Sequence, residues 1–415
     1  MGGVRGGLPL GLRDPGALRA GELRYEEALA GAARGGLGLA HLRDLSARRA
    51  EALCPPGGAG AGAGDASGDA SGGGTRQGGG GEEGREGGVE AAGRYLSLLG
   101  GLAAQAGRLP EMKSHKNRLG QTREAVSWTS PLLDGPTSKR QYGLAGLPQE
   151  WGMACMLYAA RLRDRGLEVL AGLEEESAED APPAGGAEQV GQEALAEAAS
   201  WLRRASGAYR FCEVEPLPKI RMHLPGERPA EAMPSMADSM ASLCLAEAQC
   251  LVATRAQQRG SAGPLVAALY MGASELFEEA RNTLKKNVGD FNKLSERVMR
   301  YLAVSSAIST GRALCALAPE KKREEKLGEA VGLMQLALSK VQQTQVVCEI
   351  CPEWRAECAA ELHTLQTLTN RLEQENRIVH FQRVTPATDR ALPSGKVLVK
   401  PIDFELPKEE KQAFF

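Results

Sequence analysis

Residues 235–259, 263–287, 290–318, 323–346 and 353–376 follow one another with only short breaks, and each carries apolar residues at helical spacing. That succession constrains the fold more than any other feature. Long helices joined by short connections bury their apolar stripes by doubling back as hairpins. Upstream, 147–172 and 189–213 are rich in alanine and leucine, and 89–109 carries an apolar stripe through Tyr95, Leu98, Leu99 and Leu102. Residues 25–53 space their leucines for a helix that several glycines weaken. The expectation is an all-α, elongated scaffold. No repeat of about 34 residues is legible, so a tetratricopeptide-like array would have to show itself in shape.

Two stretches break the pattern. Residues 57–88 are almost entirely Gly, Ala, Ser, Asp and Glu, too little apolar surface to offset their ordering entropy, so they are expected to be a disordered low-complexity insertion. Residues 174–188 are expected to form a flexible acidic loop. Neither need mark a domain boundary, because closure entropy grows only logarithmically with loop length.

The charge balance argues against a nucleic-acid binder. The chain has 50 basic and 52 acidic residues, a net charge of −2, and only 4% aromatic residues, so neither a phosphate-neutralising field nor a base-stacking surface is expected. No apolar run reaches the roughly 18 residues of a membrane span, and the N-terminus lacks a signal-peptide core. Nine cysteines, an odd number, some at core-like helix positions as Cys244 and Cys250 are, predict reduced thiols and a cytoplasmic setting. Gly6 stands where a myristoylation motif wants Ser or Thr, and no cysteine lies four from the end, so no lipid anchor is expected.

The best chemical candidate is CEICPEWRAECAAELH. Cys348, Cys351, Cys358 and His363 carry the donor types of a structural zinc site. Core and turn thiols account for the same spacing, so the metal is a weak candidate and no cofactor is expected. No phosphate-binding loop or nucleophile elbow occurs, and no histidine has a partner at i, i+4. An enzyme acting on a small-molecule substrate is therefore not expected. The charges of 319–330 alternate in sign at helical spacing, as on a solvated helix. The cluster Lys113, Lys116, Arg118, Arg123 and the pair Lys285-Lys286 are basic enough to touch an anionic membrane or an acidic partner.

The last motif is an apolar ribbon, GKVLVKPIDFELP (395–407), whose prolines exclude a central strand. It reads as an extended clasp along the helical body, with Lys400, Asp403 and Glu405 in water. Within ENRIVHFQRVTPATDRALPSGKVLVKPIDFELP (375–407) it resembles the end of the Bro-one (BRO) domain family, of the Brox and Alix type, where a terminal helix leads into an I-x-F-Q strand and then the ribbon. LCLAEAQCLVATRAQQRGSAGPLVAALYMGASELFEEARNTL (243–284) is similar to that domain's central helix pair, and YLSLLGGL followed by VSWTSPLL resembles its early segments in part.

The resemblance implies one banana-shaped domain over 22–407, with tetratricopeptide-like hairpins, short strands at its ends and a short 408–415 tail. It implies no enzyme but an endosomal-sorting adaptor, cytoplasmic and peripheral to endosomes. That adaptor would bind the C-terminal amphipathic helix of a filament-forming ESCRT-III subunit; an anionic endosomal membrane as a second surface rests on the basic residues above, not on the resemblance. It places the partner groove at Val252, Leu265 and Leu269, with Val252 smaller than the family's frequent aromatic and the groove correspondingly shallow. A generic helical scaffold for another peptide, and a zinc-stabilised regulator built on 348–363, are the alternatives.

Overall fold

The computed structural model describes residues 35–53, 83–108, 126–133, 141–144, 146–176, 186–345, 354–388 and 392–406. Two helices, α1 (Gly35–Leu53) and α2 (Glu83–Arg108), pack on each other and precede a two-stranded hairpin. Its strands, β1 (Val126–Trp128) and β2 (Tyr142–Leu144), are antiparallel, with Ser127 opposite Gly143. Next come α3 (Leu147–Glu176), α4 (Gly186–Val214), the short α5 (Pro216–Arg221), α6 (Pro234–Gln258), α7 (Gly263–Lys286), α8 (Glu296–Arg323), α9 (Leu327–Gln342) and α10 (Arg355–Glu375). From α3 onward each long helix packs on the next, as expected of helices on short connections. One apolar cluster runs from Leu42 to Leu365 around Tyr95, Trp128, Phe277, Tyr301 and Trp354.

Several boundaries differ from the sequence expectation for identifiable reasons. Residues 83–88, expected in the disordered insertion, form the first turns of α2; the rest of that insertion, 57–82, lies outside the described residues. The acidic loop is shorter than expected, because α3 runs to Glu176 and α4 starts at Gly186. Helix α8 starts at Glu296, where the Ser295 hydroxyl caps it by accepting from the Arg297 amide at 3.2 Å. It then continues through Pro319 to Arg323, and α9 starts only at Leu327, after Glu325 turns left-handed at φ 58°. Among the described residues α8 alone is long and apolar enough to cross a membrane. Of its apolar window 67% is buried inside the array, as befits a core helix.

A single carboxylate ties the N-terminal elements together. Glu150, at the start of α3, is fully buried; it accepts from Arg49 Nε (2.7 Å), Tyr95 Oη (2.5 Å) and Trp128 Nε1 (2.7 Å). Helices α1, α2 and α3 and strand β1 thus converge on one anion, which is stable in the interior because it is paired and hydrogen-bonded. Ser130, also buried, bridges the hairpin to the turn before α6 through Glu231 (2.6 Å) and the Ala230 amide (3.2 Å).

After α10 the resemblance implied a strand at I-x-F-Q. The structure has a π-helical turn instead, Asn376–His380, and then extended chain that pairs with no strand. This chain recrosses the array in reverse order. Thr385 donates to Gly328 O on α9 (3.2 Å), Lys396 to Ala268 O on α7 (2.8 Å) and Ile402 to Arg203 O on α4 (3.1 Å). Phe404 then lodges between Phe211 and Tyr158, with ring centroids 4.9 and 5.6 Å away. Val399 is buried as the clasp reading expects, whereas Val397 (43%) and Leu398 (52%) stay exposed.

Helix glycines make the close crossings possible. A Cβ on Gly207 would overlap the Ile402 carbonyl, one on Gly332 the Thr385 carbonyl, and one on Gly272 would sit 2.7 Å from Lys396 O. Gly191, on the same helix as Gly207, faces open space. Opposite outcomes follow on one helix. Gly191→Ala should raise stability by about 1 kcal/mol through helix propensity, as read by chemical denaturation. Gly207→Ala should lower it and free the ribbon to proteolysis.

Candidate partner groove

The family-like box Ala246-Glu247-Ala248-Gln249 lies on α6, and its two polar residues are fully buried. Glu247 accepts from Arg163 of α3 through Nε (3.0 Å) and Nη2 (2.6 Å), and from Tyr301 Oη of α8 at 2.7 Å. Burial alone would lower the Arg163 pKa, but the Glu247 carboxylate outweighs it and raises it well above the ordinary value. Burial, then the Glu247 charge, pushes the Tyr301 phenol well up, which keeps it protonated and donating. All three groups are consumed by one another. The cluster staples α3, α6 and α8.

Gln249, two residues on, does a different task with the same economy. Its Nε2 donates to the Leu269 carbonyl of α7 (3.1 Å) and the Lys396 carbonyl of the ribbon (2.9 Å). Its Oε1 accepts from the Leu398 amide (3.0 Å) and, more weakly, the Val399 amide (3.4 Å). One carboxamide therefore fixes α6, α7 and the ribbon relative to one another.

That clamp sets the relative position of the two helices that carry the candidate groove residues. Gln249 faces Leu269, and the helices α6 and α7 are consecutive, so the end of α6 beyond Gln249 lies alongside the start of α7. Val252 is half-buried on the first, and Leu265 is 39% exposed on the second. Leu269 lies one turn deeper and is only 1% exposed, in a cluster with Ala253, Val266, Ala267, Tyr270 and Ala313. Helical spacing put Leu265 and Leu269 on one face, yet only Leu265, in the first turn of α7, lies clear of the neighbouring helices. Of the three expected groove residues, Val252 and Leu265 present accessible side chain and Leu269 is core.

On its other side Val252 borders a cleft of about 340 Å³ between α4 and α6. Leu195 and Ala199 of α4, Arg255 of α6 and Leu398 of the ribbon line it. The α4 wall and Leu398 escaped sequence reasoning because the lining residues are far apart along the chain, as Leu195 and Leu398 are. The buried glutamine in the box was the available signal, since a carboxamide at a core position must find partners.

Two of the four zinc candidates lie among the described residues. Cys348 and Cys351 lie outside the described residues, while Cys358 is buried and His363 is exposed on α10, on a different face. Cys358 is disulfide-bonded, which corrects the expectation that every cysteine is reduced and removes its sulfur as a free ligand. No group of three metal-binding side chains occurs among the described residues. Cys155, Cys212, Cys244 and Cys250 are buried free thiols, with burial pushing Cys250 up to about 11. Lys285 and Lys286 are exposed in the last turn of α7, and the 113–123 basic cluster lies outside the described residues.

Gln249→Leu preserves volume but strands the ribbon's polar backbone groups. It should cost about 2–3 kcal/mol in chemical denaturation and admit protease within 392–406 before the helices are cut.

The comparisons agree with this architecture. Residues 184–415 match the BRO1-like domain family. BRO1 domain-containing protein BROX is 24% identical over 234 residues in Mus musculus and 23% over 239 in Homo sapiens; the match spans about half of those relatives, 56% and 57% of their lengths. A solved ALIX BRO1 CHMP4C complex has the same fold, with a TM-score of 0.62 at 17% identity over 95% of this chain and 96% of that one. A Bro1 domain solved for its role in endosomal targeting gives 0.58 at 12% identity, covering 94% and 92%. The matched family region takes in the Glu247–Gln249 box, both groove helices and the ribbon, so this chain belongs to the BRO1-like domain family.

Proposed function

We propose that this protein is a non-enzymatic adaptor of the endosomal sorting pathway, and that it receives the C-terminal amphipathic helix of an ESCRT-III subunit in the groove between α6 and α7. The carrying observation is Leu265. A large apolar side chain stands 39% exposed in the first turn of α7, the helix that Gln249 ties to α6, on which Val252 is half-buried. An amphipathic helix offers apolar residues at i, i+3, i+4 and i+7, the pattern a shallow groove between two helices accepts. Family membership and the ALIX BRO1 neighbour, solved with CHMP4C, support the same reading.

The chemistry is that of a scaffold. The buried carboxylates Glu150 and Glu247 have their oxygens occupied by Arg, Tyr and Trp donors, which leaves them no role in proton transfer to a substrate. A preformed groove of this kind binds without large rearrangement. On this reading the chain acts at endosomal surfaces, where ESCRT-III filaments assemble.

Two neighbouring leucines separate binding from folding. Leu265→Asp should weaken affinity for an isolated ESCRT-III tail peptide by 2 kcal/mol or more, about thirtyfold, with the thermal midpoint nearly unchanged. Leu269→Asp should unfold the protein, because it buries an unpaired charge. Unchanged peptide affinity in Leu265→Asp would refute the groove assignment.

A further inference from the structure

The turn that ends α10 has an unusual combination of properties. Ile378, Val379 and Phe381 are 57%, 63% and 78% exposed, three large apolar side chains within four residues. Phe381 adopts φ 53°, a left-handed conformation that bulky L-residues rarely take. Such strain persists only where the surroundings over-determine it, and here they do. The Phe381 amide donates to the Asn376 carbonyl at 2.6 Å. The buried Asn376 side chain grips the next residue twice, donating to Gln382 O (2.8 Å) and accepting from Gln382 N (3.1 Å). The Gln382 side chain then accepts from the Gly328 amide (3.0 Å) and donates to Glu325 O (2.7 Å), at the second left-handed residue. A rigid frame thus holds apolar side chains out in water.

Charge surrounds this knob asymmetrically. Arg377 and Arg383 flank it, both exposed, and neither forms an ion pair with a described residue. Glu375, just before the π-helical turn, is occupied by Lys322 at 2.6 Å, with His380 at 3.8 Å, and Lys322 holds its carboxyl below the ordinary range. Glu373 accepts from Gln335. Glu325, whose carbonyl accepts from Gln382, is exposed as well, so the side-chain charge outside ion pairs among the described residues around the tip is two guanidiniums against one carboxylate, a net cation.

We propose that this knob is a membrane-contact element: Ile378, Val379 and Phe381 enter the headgroup region of an anionic phospholipid bilayer while Arg377 and Arg383 meet lipid phosphates. A projecting apolar tip flanked by guanidinium groups matches an interface that is apolar below and anionic above. The knob is at the same end of the array as the start of α7. The Gly263 amide donates to Glu320 Oε1 (3.0 Å) on the last turn of α8, whose Lys322 reaches Glu375. Membrane contact there would bring the start of the α6–α7 groove towards the bilayer.

The test is sedimentation of the full chain with phosphatidylcholine vesicles, with and without phosphatidylserine. Wild type should pellet with the anionic vesicles and stay in solution with the neutral ones. Phe381→Asn keeps a residue that tolerates the left-handed turn but removes the apolar tip. It should lose most of the binding at an unchanged or higher thermal midpoint. Arg377→Gln combined with Arg383→Gln should weaken binding by about tenfold or more, at about 1 kcal/mol per cation. Neither variant should alter ESCRT-III tail-peptide affinity without vesicles, so failure here and failure of the groove are distinguishable. The proposal is overturned if wild type ignores anionic vesicles, if Phe381→Asn binds them equally well, or if Phe381 proves to be needed for an acidic peptide instead of a bilayer.

Discussion

The Gln249 carboxamide is the contact on which the arrangement of α6, α7 and the ribbon depends. Its four hydrogen bonds join the middle of α6 to α7 and to a ribbon some 150 residues downstream. The group is fully buried, so each unmade bond would carry a desolvation cost instead of merely a lost gain. Such a device specifies geometry. An apolar residue of equal size would fill the space but leave the ribbon free to slide.

Around that contact the helices are held by two buried anions at different depths of the chain. Glu150 gathers α1, α2, α3 and β1, and Glu247 gathers α3, α6 and α8. Helix α3 belongs to both sets, and so links the N-terminal elements to the groove-bearing half. Removing one partner of a buried pair typically costs about 3–5 kcal/mol, which makes each anion a fixed point of the fold. The ribbon then crosses back over α9, α7, α6 and α4, so residues 385–402 brace the middle of the helical array. Glycines at positions 207, 272, 328 and 332 let the backbones approach for this purpose.

Much of the fold was legible in the sequence, because long amphipathic segments with short breaks announce themselves by period alone. Helix α7 was expected over 263–287 and found over Gly263–Lys286. Misplaced boundaries came from local chemistry that periodicity does not see, such as the Ser295 cap and the left-handed Glu325. The ribbon's extended nature followed from its prolines, but its path did not, since Gln249 and the helix glycines look unremarkable until the crossing is known. The candidate groove was legible only as a spacing and a resemblance. Spacing paired Leu265 with Leu269, yet burial depends on where neighbouring helices end, and this separates an accessible leucine from a core one. The knob at Ile378–Phe381 was hidden more completely, because apolar residues in a motif are expected to be docked.

The account rests on α6 and α7 forming a preorganised receptor for an amphipathic helix, and amide hydrogen exchange of the full chain with and without an ESCRT-III tail peptide tests this most directly. Added protection should concentrate in residues 252–259 and 263–270, with the Gln249-held ribbon unchanged. Protection confined to other helices, or none at all at saturating peptide, would contradict it.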